Sequence, residues 1–238
     1  MSEPRGEIDV SVVIPTRNEA PNLRALLPRL LEAFRGAGLS GEVVVADDGS
    51  PDGTADAAEA LLGAGGRVLR RTGTPGLAPA VIEGLAAAGG RILCVMDADL
   101  SHPPELVPAL VRAVREGADL AVASRYVPGG GVEGWPWRRR WMSRAACWLA
   151  RPLTPVRDAT SGFFCLRRSV IEGVPLTASG FKIGLEVFVK GRHARLVEVP
   201  YVFRDRTEGT SKLGSRVMLQ YLGHLARLAA WRILRRRT

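Results

Sequence analysis

The chain has 238 residues, which is enough for one α/β domain with a buried core and short for two independent domains. Hydrophobic residues make up 46% and charged residues 24%, a composition that is ordinary for a globular protein and argues against a disordered one. The formal net charge of +9 favours anionic partners: nucleic acid, an acidic membrane face or phosphorylated small molecules.

The cysteines, the N-terminal residues and the apolar runs indicate the cellular compartment in which the protein is expected. Cys94, Cys147 and Cys165 are widely spaced and odd in number, so we predict buried thiols rather than disulfides or a metal knuckle, in a reducing, cytoplasmic setting. Residues 1–9 are acidic and polar, so no signal peptide is expected. No apolar run reaches the ~18–20 residues of a membrane-spanning helix, because residues 217–234 are interrupted by polar and charged side chains.

The first part of the chain alternates between two kinds of pattern. Residues 10–15 form a short β-branched run that ends in a proline, which predicts a buried strand. Leucines at helical spacing predict a helix over 20–34. A second buried strand is predicted over 42–46 and an alanine-rich helix over 55–62.

The same alternation continues along the chain. It predicts strands over 67–70, 91–96 and 120–124 and helices over 79–88 and 104–115. Strands that are apolar throughout and alternate with helices indicate a parallel sheet covered on both faces. We therefore expect an α/β, Rossmann-like, mostly parallel sheet with helices on both faces.

The second half of the chain has a different character. In order, it carries a glycine-rich loop at 129–131, a segment rich in Trp and Arg at 135–148, a late strand at 196–202, a polar loop at 204–212 and a helix that ends in three arginines. We expect one domain over 1–215 and an amphipathic basic helix over 216–238.

Polar clusters follow the predicted strands at 15–19, 47–53, 97–102 and 124–125. In parallel α/β sheets, ligands bind at the carboxyl ends of the strands. Clusters that were merely turns would occur as often at strand starts. The sequence therefore predicts a ligand site at this edge of the sheet.

The triplet Asp97-Ala98-Asp99 leaves a buried strand. In extended chain, residues i and i+2 point to the same side, so the two carboxylates converge and repel one another unless a cation lies between them. Oxygen ligands suit Mg²⁺ or Mn²⁺. The alternative is a helix cap before Pro103-Pro104. An isolated Asp-x-Asp triplet is a weak signal, and its position after an apolar strand favours the metal.

The segment Asp47-Asp48-Gly49-Ser50 also follows an apolar strand. Aspartate accepts hydrogen bonds from base or ribose edges, and glycine lets a ligand approach the backbone. The alternative is a plain strand-to-helix turn, with Ser50 or Asp52 capping the next helix and one aspartate purely structural.

These motifs together carry a family resemblance. Residues 12–19 (VVIPTRNE), 47–54 (DDGSPDGT) and 97–104 (DADLSHPP) resemble family-two glycosyltransferases of the GT-A fold. Within that family, the chain is most similar to the dolichol-phosphate or polyprenyl-phosphate mannosyltransferase group. The strongest match is Phe-x-x-Arg-x-x-Gly-x-Ser-Lys-Leu at 203–213, and the resemblance spans about residues 10–215.

The resemblance implies a role for each matching residue. The residues expected to bind the nucleoside are Pro15, Arg17, Glu19, Val45, Asp47 and Asp48, and Ala98 is expected to line the donor site. The expected metal ligands are Asp97, Asp99 and Ser101. The residues expected to contact the donor and acceptor phosphates are Arg125, Arg144, Arg206 and Lys212. Ser101 stands where many relatives have Gln, so its shorter hydroxyl is expected to act through water. For each arginine, the alternative is a solvated surface charge.

The implied reaction is an inverting, single displacement of mannose from GDP-mannose onto a polyprenyl phosphate. That acceptor is already an oxyanion and needs little help from a base. Asp99, Arg206 and Lys212 are the expected catalytic residues, the last two on a loop that closes over the donor. His102, before two prolines, is expected to be structural.

Two departures leave the donor open. Arg17 replaces the tyrosine usual in the first motif, and residues 75–79 replace a glycine-richer loop. A transferase that uses a UDP-sugar, such as one moving glucose to a polyprenyl phosphate or a glycan, is therefore the first alternative.

Two further classes fit less well. A nucleic-acid-binding protein would match the charge, but carboxylates at the strand ends would repel a phosphate backbone. A catalytically dead scaffold would not be expected to retain Asp97, Asp99, Arg206 and Lys212.

The tryptophans and arginines of 135–148 and the C-terminal helix suggest a membrane surface. Trp prefers the bilayer interface and Arg pairs with lipid phosphates, so we expect an in-plane anchor on the cytoplasmic face. The alternative is a buried aromatic helix with a solvated tail.

Overall fold

The computed structural model describes residues 8–177, 183–204 and 215–235. The strands are β1 (Val10–Thr16), β2 (Gly41–Asp47), β3 (Gly66–Arg70), β4 (Ile92–Val95), β5 (Leu120–Ser124), β6 (Gly131–Val132), β7 (Phe164–Arg167), β8 (Leu196–Pro200) and β9 (Val202–Phe203). The helices are α1 (Ala20–Gly36), α2 (Thr54–Leu62), α3 (Leu77–Ala87), α4 (Val107–Arg115), α5 (Trp137–Ala150), α6 (Ile183–Lys190) and α7 (Ser215–Arg235).

Seven strands form the main sheet, in the order β3-β2-β1-β4-β7-β5-β8. Pairing is parallel throughout except at β7, which runs antiparallel to both β4 and β5. The mostly parallel sheet is confirmed. The sequence did not predict β7, because its four residues follow a run of turns after α5 and give too short a pattern.

The predicted elements of the first half are present with small shifts at their ends. The helix expected over 104–115 begins as a 3₁₀ turn, Pro104–Leu106, before α4. The late strand expected over 196–202 divides at Tyr201, whose N–H donates to the carbonyl of Ser124. The short β9 then pairs with β6 in a separate two-stranded sheet.

The strands have buried faces on both sides of the sheet, as alternation along β1 illustrates. Val12 and Ile14 pack in a cluster with the leucines of α1 and with residues of α4. Val13 points the other way, into a cluster with residues of α3 and α6. The helices therefore cover both faces, as the apolar strands predicted.

The C-terminal helix α7 packs on the domain along one side. Tyr221 and Leu225 of α7 join Leu185 of α6 in a small apolar cluster. The Tyr221 hydroxyl also donates to the carbonyl of Ala146 in α5, at 2.8 Å. Within the described part of the chain, no helix is both long enough and apolar enough to cross a bilayer.

The three cysteines are free thiols, and all are buried, as the sequence predicted. Cys94 and Cys165 face each other across β4 and β7. Burial raises the pKa of the Cys165 thiol well above its ordinary value, so it is protonated at neutral pH.

Candidate active site

The polar clusters that follow β1, β2, β4 and β5 meet at one edge of the sheet. The register of β1 and β2 places Thr16 beside Asp47, the last residue of its strand. Because parallel strands end at the same edge, segments far apart in sequence become neighbours here.

Asp47 is buried and organises the turn that follows β2. The hydroxyl of Thr16 donates to Asp47 Oδ1 at 3.0 Å. The hydroxyl of Ser50 donates to the same oxygen at 2.5 Å, and the Ser50 N–H donates to Oδ2 at 2.9 Å. Both carboxylate oxygens thus bond to the chain itself, as the structural alternative for one of the two aspartates predicted.

Asp48 ties a second loop to the same edge. It is ion-paired with Arg71 and accepts the N–H of Gly76 at 2.8 Å. Arg71 is almost fully buried, and it also donates to Glu83 at 2.7 Å. The hydrogen bond to Glu83 raises the pKa of Arg71. Sequence reasoning missed Arg71, because nothing in the sequence separates it from the exposed Arg70.

The other residues predicted to bind the nucleoside differ in how exposed their side chains are. Arg17 is exposed and donates to the carbonyl of Asp48. Glu19 is half-buried and accepts from the Asn22 amide at 2.6 Å. Pro15 is buried within β1.

Val45 differs from the prediction, because its side chain is completely buried in the core of the sheet. Any contact that it makes with a nucleoside is therefore restricted to its backbone. Asp52 does not cap α2 as the structural alternative predicted, because Gly53 occupies the capping position and no side chain caps the helix there. Asp52 instead braces the turn: its Oδ1 accepts the N–H of Thr54 at 3.1 Å and its Oδ2 that of Ala20 at 3.2 Å.

The Asp97-Ala98-Asp99 segment lies just beyond β4. Asp97 is half-buried, with 34% of its side chain exposed, and Asp99 is buried. Ala98, predicted to line the donor site, is buried in the core. Leu100 has φ of 63°, a left-handed conformation that costs a non-glycine residue about 1 kcal/mol. The surrounding structure therefore holds this turn in place.

Ser101 fixes the orientation of Asp99. Its N–H and its hydroxyl both donate to Asp99 Oδ1, at 3.1 and 2.5 Å. The hydroxyl is thus engaged with the carboxylate beside it, and a direct metal bond from Ser101 stays a prediction.

The donor set fits Mg²⁺ or Mn²⁺. A Cβ atom added at Gly162 would lie 3.4 Å from Asp97 Oδ2, in van der Waals contact, so the glycine keeps this side of the carboxylate clear for a ligand. No group of three or more His, Cys, Asp or Glu side chains suited to a metal occurs among residues 8–177, 183–204 and 215–235. Two carboxylates with substrate phosphates and water are the usual set for Mg²⁺.

His102 is buried behind the two aspartates. Its Nδ1 accepts the N–H of Asp97 at 3.0 Å, and its ring stacks on Phe163 with centroids 5.0 Å apart. Burial lowers the pKa of His102 below its ordinary value. His102 is therefore structural, as expected, and the bond that it accepts from the Asp97 N–H is a contact that the sequence did not reveal.

Arg125 is buried at the end of β5 and paired with Asp158. Its Nε and Nη2 donate to the two carboxylate oxygens, both at 2.7 Å, and Nη2 also reaches the Thr160 hydroxyl at 2.8 Å. Burial opposes the charge, but Asp158 raises the pKa of Arg125 above the arginine norm. Sequence reasoning missed Asp158, which is 33 positions away.

A second arginine, also missed from the sequence, shares an aromatic ring with Arg125. The Arg139 guanidinium carbon lies 4.0 Å from the centroid of Trp135, and that of Arg125 lies 5.3 Å from it. Arg144 is exposed, and its guanidinium carbon lies 5.9 Å from the Tyr126 ring. The two predicted arginines thus lie near one aromatic pair, Trp135 and Tyr126.

Arg206 and Lys212 lie outside the described residues, so their roles stay predictions. The strand that leads to them is anchored at the site. Phe203 lies 5.2 Å from the Trp135 ring and 6.4 Å from the His102 ring, between ring centroids.

Comparison with known proteins identifies the family. A model described as glycosyl transferase family 2 matches residues 11–174. The chain belongs to this family. It is 46% identical over 227 residues to a dolichol-phosphate mannosyltransferase of Pyrococcus furiosus, covering 93% of this chain and 64% of that protein. The chain therefore spans less than two thirds of that relative's length.

Two further relatives are covered more fully. The chain is 39% identical to a dolichol-phosphate mannosyltransferase of Saccharomyces cerevisiae, over 93% of this chain and 87% of that protein. It is 40% identical to a polyprenol monophosphomannose synthase of Mycolicibacterium smegmatis, over 87% of this chain and 82% of that protein.

Solved structures share the fold at lower identity. A mannosyl-3-phosphoglycerate synthase from Rubrobacter xylanophilus matches with a TM-score of 0.68 and 21% identity, over 96% of this chain and 75% of that one. A mannosyltransferase from Pyrobaculum calidifontis, solved with GDP-Man and Mn²⁺, matches with a TM-score of 0.62 and 22% identity, over 95% of this chain and 64% of that one. The GT-A fold is confirmed.

Proposed function

We propose that this chain transfers mannose from GDP-mannose to a polyprenyl phosphate, with Mg²⁺ or Mn²⁺ held by Asp97 and Asp99. The observation that carries the proposal is that Phe203 lies close both to His102, which accepts the N–H of Asp97, and to the pair formed by Arg125 and Trp135. The Phe203 ring centroid lies 6.4 Å from that of His102 and 5.2 Å from that of Trp135, and the Arg125 guanidinium carbon lies 5.6 Å from the Phe203 ring. The names of the relatives support the donor sugar and the lipid acceptor.

The acidic group, Asp97 and Asp99, serves the donor. A divalent metal on Asp97 and Asp99 neutralises the charge of a leaving nucleoside diphosphate. Ser101 orients the Asp99 carboxylate through its two hydrogen bonds. Arg17 and Glu19 are the predicted nucleoside ligands whose side chains are accessible.

The basic group, which consists of Arg125, Arg139 and Arg144, serves the acceptor. Guanidinium groups suit phosphate oxygens, but Arg125 is buried and donates from Nε and Nη2 to Asp158, so it shapes this part of the site rather than binding the phosphate itself. The exposed Arg144, and Arg139 stacked on Trp135, supply the positive charge for a phosphate. A phosphate acceptor is already anionic, so positioning of the two substrates replaces a general base.

The same geometry supports association with a membrane surface. The large apolar side chains that α5 and α7 expose are Trp137, Trp141, Met142, Trp148, Leu149, Leu219, Leu222, Ile233 and Leu234. The three tryptophans of α5 are 67–73% exposed, which argues against the alternative of a buried aromatic helix. Trp side chains with neighbouring arginines suit an anionic lipid headgroup region, where a polyprenyl phosphate resides.

A donor panel tests the reaction. The protein would be assayed in detergent micelles with a polyprenyl phosphate, Mn²⁺ and each of GDP-mannose, GDP-glucose, UDP-glucose and UDP-N-acetylglucosamine. We expect transfer from GDP-mannose, with inversion at the anomeric carbon, and roughly 10³-fold less transfer by D97N under the same conditions. Preference for UDP-glucose would establish the alternative donor and refute GDP-mannose.

Flotation with vesicles tests the surface. We expect binding to vesicles of anionic phospholipid that weakens as salt rises, and weaker binding for the double variant W141A/W148A. L69A, a substitution on the strand β3 away from these helices, is the matched control. Equal flotation of both variants and the wild-type protein would contradict the assignment of this face.

A further inference from the structure

His102 occupies the point where the sheet ends and the two aspartates begin. The N–H of Met96 donates to the carbonyl of Val13 and continues the ladder between β4 and β1. The next N–H along the chain, that of Asp97, leaves the sheet and donates to His102 Nδ1. A backbone N–H can only donate, so Nδ1 is unprotonated and the neutral ring carries its proton on Nε2.

This contact helps to fix the backbone from which the Asp97 carboxylate projects. Three residues later, Leu100 adopts a left-handed conformation, so the segment depends on its surroundings for its shape. Ser101 fixes the Asp99 carboxylate directly. At Asp97, His102 Nδ1 fixes the backbone by accepting its N–H.

The ring of His102 is itself held by aromatic contacts on several sides. It stacks on Phe163 at an interplanar angle of 22° and meets Tyr201 and Phe203 edge-on. Phe163 directly follows Gly162, the residue that leaves space beside the Asp97 carboxylate. The ring therefore has little freedom to rotate, and its nitrogen stays aimed at Asp97.

A purely space-filling role does not account for this residue. An apolar ring would fill the same volume without the cost of burying a polar one, and burial of a polar group is unfavourable unless a hydrogen bond compensates it. His102 makes that bond to one specific group, the first N–H of the acidic motif.

We propose that His102 is a positioning residue, which fixes Asp97 for metal binding by accepting its backbone N–H at Nδ1. The proposal rests on the metal role of Asp97 and Asp99 in the proposed function. His102 does not touch the metal or the substrates. It acts by setting the direction of a ligand, as hydrogen-bonded residues behind metal ligands generally do.

The tautomer tests the geometry without any metal or activity. The chain has three histidines, so long-range ¹H–¹⁵N spectra of protein labelled at histidine resolve three rings, and H102N identifies the relevant one. We expect the ¹⁵N shift of an unprotonated nitrogen at Nδ1 and of a protonated one at Nε2, at pH 7.5. A protonated Nδ1 would overturn the proposal.

Three substitutions test the consequence for the metal. In H102N the side-chain oxygen takes the place of Nδ1, whereas in H102Q the polar group lies one bond further out. H102F keeps a ring without an acceptor. Mn²⁺ affinity in the presence of GDP would be measured from the electron paramagnetic resonance signal of free Mn²⁺. We expect about 10-fold weaker binding or more for H102Q and H102F, and affinity within about threefold of wild type for H102N.

The controls separate folding from positioning. H193N alters a histidine that lies at the opposite end of the sheet, bonded to the carbonyl of Phe188, and should bind Mn²⁺ as wild type does. If H102F fails to fold, the contrast between H102N and H102Q still decides. Equal Mn²⁺ affinity for H102N and H102Q would overturn the proposal. A wild-type protein that binds no Mn²⁺ with GDP would instead refute the metal site of the proposed function.

Discussion

Two pairs of aspartates follow two buried strands of this protein, and the structure uses them differently. Asp47 and Asp48 bond to their own chain, through Ser50, Thr16 and the buried Arg71. Asp97 and Asp99 are bonded to residues of their own motif. Ser101 orients one carboxylate, and His102 holds the backbone of the other.

The difference separates a pair that builds the site from a pair that is suited to chemistry. A carboxylate that is ion-paired with a buried arginine has its charge compensated within the protein. Asp97 and Asp99 are two positions apart in one short segment, and two carboxylates that lie close together favour a cation between them. We therefore expect the first pair to matter for folding and the second for metal-dependent activity.

The largest expected effect is the loss of activity when the metal-binding pair is changed. D97N and D99N should each lower kcat/KM by roughly 10³-fold, because the metal contributes several kcal/mol to the transition state. The thermal midpoint should change little. Steady-state assays with GDP-mannose and a polyprenyl phosphate, beside thermal unfolding, would measure both. If either variant kept most of its activity, the assignment of Asp97 and Asp99 to metal-dependent activity would be wrong.

A large loss of stability is expected from the other pair. R71M removes the buried charge that pairs with Asp48 and leaves the exposed Arg17, 3.8 Å away, so the free energy of unfolding measured in urea should fall by about 3 kcal/mol. The double variant R71M/D48N should recover part of that loss, since the unpaired charge is gone. R70M is the matched control, because the neighbouring Arg70 pairs with Asp56 and Glu59 at the exposed surface and should matter little. Equal losses for R71M and R70M would contradict the buried pair.

A smaller effect is expected at Ser101. S101A removes the hydroxyl that orients Asp99, so Mn²⁺ binding with GDP should weaken by roughly 10-fold. S101T keeps a hydroxyl and should bind within a few-fold of wild type. Titration calorimetry with Mn²⁺ would measure the difference. If S101A binds Mn²⁺ as tightly as wild type, Ser101 neither orients Asp99 nor ligates the metal.

The smallest expected effect lies in the turn that Asp47 organises. S50A removes one hydroxyl bond to Asp47 and leaves the Ser50 N–H bond in place, so stability should fall by about 1 kcal/mol. Activity of the folded protein should stay within about threefold. Urea denaturation and the donor assay together would check this. An activity loss comparable to that of D97N would show that this pair, too, serves the reaction.

The sequence was sufficient for the fold class and for the edge at which the site lies. Continuous apolar runs specify strands buried on both faces, and helical leucine spacing specifies what covers them. Because parallel strands end at the same edge of the sheet, the polar motifs that directly follow them lie together at that edge. Three ordered motifs also indicated the family, which is now confirmed.

The tertiary structure alone decided which polar residues carry the site's geometry. Arg70 and Arg71 are neighbours of the same residue type, so the sequence does not distinguish them. Only Arg71 is buried, and its ion-pair partner, Asp48, lies 23 positions away in the chain. Asp158 and Arg125 meet across 33 positions, and His102 is fixed by rings from residues 163, 201 and 203. Such partners depend on which loops the sheet brings together, because local periodicity records burial but not the distant group that a buried side chain will meet.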